Sequence, residues 1–175
     1  SLSLSLNYYF RKLLMSPIKV SELNDVDKLL IRCIREWVKA VFYAQNPMPA
    51  LKYLLSKHKI QKTMIPIDDL MRSIVLSRRK KLDFKVSNCC LLGQTEREIL
   101  SIMYNIQIKN EKIATNLISD MVEKVYLNIA NSCAKLICKD FTDVGLFFDD
   151  PSKHSVIGRK VNNIINYDFR DKKFI

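Results

Sequence analysis

Between Gln94 and Asp140 the chain has neither proline nor glycine, and apolar residues recur every three or four positions. That spacing puts them on one side of a 3.6-residue helix, whereas a strand would need strict alternation. Thr95 followed by Glu98 has the form of a capping box, in which the hydroxyl and the carboxylate satisfy each other's backbone N–H groups. Ile99, Ile102, Met103 and Ile106 then form a stripe that ends near Gln107. Asn110 is a second N-cap, with Glu111 suited to the positive helix end. From Ile113 and Ala114 the apolar positions continue through Leu117, Ile118, Met121, Val122, Val125, Ile129, Cys133, Leu136 and Ile137. This predicts one helix of about seven or eight turns, roughly 40 Å long, stopped by Phe141–Gly145.

The remainder fits helices packed around that stretch. Only three glycines and five prolines occur, too few for the turns of a sandwich or barrel. Asn24 or Ser21 opens a helix reaching about Ala44, with Val26, Leu29, Leu30, Cys33, Trp37, Ala40, Val41 and Ala44 inward and Arg32, Arg35, Glu36 and Lys39 outward. Asn46-Pro47 starts a short helix striped by Met48, Leu51, Leu54, Leu55 and His58. Pro66 opens a third, with Asp68 and Asp69 in its first turn and Leu70, Met71, Ile74 and Val75 buried. Leu82–Val86 alternates and reads as a short strand or an extended linker. The expected fold is all-α: a single-domain bundle of about five main helices, one of them long, in the C-terminal half. The expected organisation is an arm at 1–20, the helical domain at 21–140 and an irregular basic tail at 141–175 packing on it. Met15 begins a stretch like an ordinary protein start, so Ser1–Leu14 is expected to be partly foreign; the rival reading is an amphipathic arm.

Several chemistries find no support. G-x-G-x-x-G and G-x-x-x-x-G-K-[ST] phosphate loops are absent. Adjacent Cys89 and Cys90 cannot form a zinc knuckle, and Cys133 and Cys138, five apart on a helix, point about 140° apart. His58 and His154 have no ligand at metal spacing. No cofactor or metal is expected. Five cysteines, an odd number with three in helical stretches, argue against a secreted disulfide framework and for a reducing, cytoplasmic setting. No apolar run approaches the roughly 18 residues of a membrane span.

The formal net charge of +11 points to an anionic partner; an AT-rich coding sequence, rich in Lys, Asn and Ile, is the plain alternative. Arg78, Arg79, Lys80 and Lys81 are the densest positive run and the candidate polyanion contact. Trp37 is a core residue or an interaction anchor, and Tyr8, Tyr9 and Phe10 are the anchors an N-terminal arm would offer.

Two resemblances follow from these residues. T-E-R-E-I-L-S-I-M and E-K-I-A-T-N-L-I-S resemble the helix-turn-helix of LuxR-type regulators, with Thr95, Glu98, Leu100, Ile113, Ala114 and Leu117 at scaffold positions. That implies DNA binding, with a recognition helix at Ser119–Asn128, where Asp120 and Glu123 would face phosphates. More broadly, I-R-C-I-R-E-W-V, the R-R-K-K helix end, the cysteine loop and the T-E-R-E helix resemble a group of short uncharacterised helical proteins of alphaproteobacteria. This implies an all-α fold in a bacterial cytosol and no activity. The leading expectation is a non-enzymatic protein-interaction or regulatory module, or a self-associating one, using an apolar helix face. The alternatives are a nucleic-acid-binding regulator and an enzyme with a Cys89 or Cys90 nucleophile.

Overall fold

The computed structural model describes residues 17–77 and 79–154. Among them are six α-helices and no strand: α1 (Asp25–Phe42), α2 (Met48–Ser56), α3 (Met64–Ser77), α4 (Gln94–Gln107), α5 (Glu111–Met121) and α6 (Leu127–Asp143). The fold is all-α as the periodicity predicts, with one helix more than expected.

The extra helix comes from a break in the long one. After Met121 the backbone turns extended at Val122 (φ −121°, ψ 152°) and Glu123, passes through a 3₁₀ turn at Lys124–Tyr126, and restarts as α6. Neither glycine nor proline marks the break. Val122, Val125 and Tyr126 are weak helix formers, and tertiary contacts decide the issue. Val122 is 1% exposed, and the freed Glu123 N–H donates to the Ser77 hydroxyl at 3.1 Å. The break rephases the stripe. Ala130, Cys133, Ala134, Ile137 and Cys138 turn inward, while Val125, Ile129 and Leu136, all expected in the core, are exposed; Ile113, also expected there, is exposed on α5 before the break.

Helix starts follow local chemistry. The Asn24 side chain accepts the Asp27 N–H at 2.7 Å, as an N-cap should. Asn46 accepts the Met48 N–H across Pro47. α3 starts at Met64, two residues before Pro66; proline is tolerated there because a first-turn N–H has no intrahelical partner. At α4 the capping residues differ from those expected. Gly93 is the N-cap, and the Glu96 carboxylate accepts its N–H at 3.2 Å. Thr95 instead accepts the Asp83 N–H, and Asp83 accepts the Gln94 N–H, both at 2.7 Å.

The segment 79–93 is irregular, with a turn at Ser87–Asn88, and forms no strand. One antiparallel bridge joins Leu91 to Lys19, with Val20 N–H donating to the Cys90 carbonyl and Leu92 N–H to the Ile18 carbonyl, each at 2.8 Å. Ile18 and Leu23 are core residues, so the packed body begins before residue 21. At the other end α6 runs past Asp140 to Asp143. Gln107 then grips the return segment, donating to the Leu146 carbonyl and accepting the Phe148 N–H, and Phe148 stacks on Phe141 at 4.9 Å.

α3 and α6 lie antiparallel. Thr63 donates to Asp140 at 2.9 Å at one end, and Ser77 meets Glu123 at the other.

Candidate functional site

The most heavily bonded polar group in the interior is the Arg35–Glu96 pair. Arg35, expected on the outer face of α1, is 3% exposed and Glu96 is fully buried. The guanidinium donates to both carboxylate oxygens (3.1 and 2.9 Å) and to the carbonyls of Cys89 and Leu91 (2.7 and 2.8 Å). Glu96 also accepts the Lys85 N–H at 2.8 Å and the Gly93 N–H. Burial pushes the Glu96 carboxyl above its ordinary range, while Arg35 and the two backbone N–H groups pull it back. Every contact to its oxygens comes from a donor, so the ionised form is the one accommodated. With its hydrogen bonds filled, the pair pins the 79–93 connector between α1 and α4 and leaves no lone pair for a substrate.

The basic run is divided. Arg78 lies outside the described residues. Arg79 and Lys81 are exposed. Lys80 is committed inward, at 2.8 Å from Glu98 and 2.7 Å from Asp120, and these carboxylates raise its pKa against the opposing effect of burial. It ties the end of α3 to α4 and α5. Trp37 is 1% exposed and its Nε1–H donates to Asp68 at 2.8 Å. It is a core residue that joins α1 to α3, and burial removes it from the set of anchors. Tyr8, Tyr9 and Phe10 lie outside the described residues.

Burial pushes the Cys33 and Cys138 thiols up to about 12 and raises Cys133 as well; such thiols are poor nucleophiles. Cys89 is half-buried and Cys90 exposed. His154 Nε2 sits 3.6 Å from an Asp149 oxygen, and His58, expected on a buried stripe, is exposed at the end of α2. Among the described residues no cluster of three or more His, Cys, Asp or Glu could hold a metal, and no helix is long and apolar enough to cross a membrane.

The helix-turn-helix candidate resolves into α4, a turn at 108–110 and α5. Lys109 takes the left-handed conformation (φ 66°) that the missing glycine would have favoured. The 119–128 span is not one helix, since it holds the end of α5, the break and the start of α6.

What the surface does offer is an apolar strip along α3 and α6. Ile65 (51% exposed) and Leu76 (42%) are eleven apart on α3; Ile129 (46%) and Leu136 (47%) are seven apart on α6. Both spacings return to nearly the same side of a helix. The seam between the helices fixes their relation. Lys62 pairs with Asp140 at 3.5 Å near one end, and the Glu123 N–H reaches the Ser77 hydroxyl at 3.1 Å near the other. Facing residues therefore have numbers that sum to roughly constant values, which sets Ile65 beside Leu136, Leu76 beside Val125 and Ile129 near Arg72. Charges here alternate in sign: Lys62 with Asp140, Arg72 with Asp68 at 3.0 Å, Lys139 with Asp143 at 2.7 Å. The sequence signal was present in Ile65, Arg72 and Leu76, whose i, i+7, i+11 spacing marks the side of α3 opposite its core stripe.

Comparison of the chain with protein-family models, curated proteins and solved structures finds no match.

Proposed function

We propose that the chain is a non-enzymatic protein-interaction module of a reducing compartment such as the cytoplasm, acting through the outer face of α3 and α6. The observation that carries this reading is the row of large apolar side chains left exposed on two adjacent helices. Singly exposed hydrophobic residues are ordinary, but four or five large ones on one face of two adjacent helices, interleaved with charged groups, are the kind of surface that a partner covers. The interior polar groups support the same reading, because Arg35 and Glu96 spend their hydrogen bonds on backbone and on each other.

The test compares the full chain with two variants as bait in a lysate of its source cells. Ile129→Lys with Leu136→Lys makes the strip polar; Arg79→Glu with Lys81→Glu reverses the exposed basic pair. The expected outcome is a protein partner retained by the basic-pair variant and lost by the strip variant, with circular dichroism unchanged in both. Recovery of nucleic acid that depends on Arg79 and Lys81, and is insensitive to the strip, would replace this reading with the polyanion one.

A further inference from the structure

We infer that the α3/α6 face is covered by a second copy of this chain, in an antiparallel dimer about a two-fold axis that crosses both helices. The inference rests on the interaction reading above and names the partner of that same surface.

The outer side of α3 is complementary to itself reversed. Along the outer side of α3 the order is apolar, acid, base, apolar: Ile65, Asp69, Arg72, Leu76. Reversed, the same positions read apolar, base, acid, apolar. A two-fold axis between residues 70 and 71 would set Ile65 of each copy on Leu76 of the other, and Asp69 of each on Arg72 of the other. On α6 an axis between residues 132 and 133 would likewise set Ile129 on Leu136. These two midpoints lie at one height. The seam pairs residue 63 with 140 and residue 77 with 123, and the same relation pairs 70 with about 132. One axis therefore serves both helices, as an isologous contact requires.

Charge selects this occupant over others. Among the described residues the Asp69 carboxylate has no ion-pair partner, while Arg72 uses its Nε–H on Asp68 and has further N–H groups to donate. The alternating signs give a polyanion no positive field to follow, and they spare two copies of a +11 chain from repulsion at this face. The size is sufficient. Helices of 14 and 17 residues are about 21 and 25 Å long and lie about 10 Å apart. They offer a footprint of roughly 500 Å² per copy, so about 1,000 Å² in all, the size of a weak, concentration-dependent contact.

Sedimentation velocity of the full chain across a wide concentration range tests this. The wild type is expected to approach twice the 20.4 kDa chain mass as concentration rises. Asp69→Arg and Arg72→Asp each place like charges opposite one another and should keep the chain monomeric. The double variant exchanges the charges and should dimerise again. Ile129→Lys should be monomeric, with unchanged circular dichroism. A wild type that stays monomeric at every concentration overturns the dimer, as does a dimer indifferent to these substitutions or a double variant that fails to recover. If the wild type is monomeric but its lysate partner is still lost with the polar strip, the second copy falls and the interaction reading stands. If nothing responds to the strip in either assay, both fall.

Discussion

Asp27 shows how one side chain can carry a pH dependence. It is fully buried on the first turn of α1. One carboxyl oxygen accepts the Asp149 N–H at 3.3 Å, and the other has no hydrogen-bond partner. Burial pushes its pKa from 3.8 to about 7; the Asp149 N–H opposes this and the Asp149 charge adds to it. The folded chain therefore favours the protonated form. This group's stabilising effect is complete below pH 4, declines as pH rises from about 4 to about 7, and is gone above that. Asp27→Asn keeps the acceptor and removes the ionisation. It should raise stability at pH 8 by on the order of 2 kcal/mol, or about 5 °C in melting temperature, and make little difference at pH 4. Melting curves at the two pH values check this; equal shifts at both would contradict it. The Asn24 cap was legible in the sequence because it depends on neighbours three residues away. Arg35 was not: its partners lie 54 to 61 residues along the chain, and its place beside Arg32 and Glu36 resembles any solvated helix face.

At the scale of elements, the buried stripes of α2 and α4 follow from periodicity, because one apolar face per helix is all they require; α1 is buried more widely than one stripe, with Ile31, Ile34 and Val38 in the core, Val26, Leu29 and Val41 half-buried and Ala44 exposed beyond its end. The break at 122–126 does not. It is set by Ser77 and by the space that receives Val122, neither of which has a signature near the break. The connector has a firmer local rule. A Cβ at Gly93 would run into the Asp83 backbone carbonyl, on a segment held by Asp83 to Gln94 and Thr95. The requirement is closeness of approach, since Gly93 has an ordinary φ of −74°. Gly93→Ala should therefore cost about 1–3 kcal/mol, read as an earlier midpoint in urea at unchanged slope. A loss below the error of the titration would show that the connector can move aside.

For the molecule as a whole, charge and burial are unevenly distributed. The described residues carry 21 Lys and Arg against 16 Asp and Glu, a net +5 of the formal +11. The basic character read from composition thus belongs as much to 1–16, 78 and 155–175 as to the helical body. The strip on α3 and α6 was only partly legible for a related reason. An unbroken helix places Ile129 and Leu136 in the core, and only the assembled fold turns them out. Burial also makes the thiols a probe of the complete structure. Cys89 and Cys90 should react readily with a thiol reagent in native conditions. Cys33, Cys133 and Cys138 should react only as fast as the chain opens, and mass spectrometry of a labelling time course will show two groups. Prompt labelling of Cys33 would mean that α1 detaches separately.

The Arg35–Glu96 contact also bears on biosynthesis. Translation proceeds at about 5–20 residues per second, and the two partners are 61 residues apart. The guanidinium therefore leaves the ribosome about 3–12 s ahead of the carboxylate it is built to meet. During that interval the first half of the nascent chain has apolar ridges and lacks the carboxylate that Arg35 holds in the folded protein. It is then open to chaperone capture, and its commitment to the native state waits on the arrival of α4.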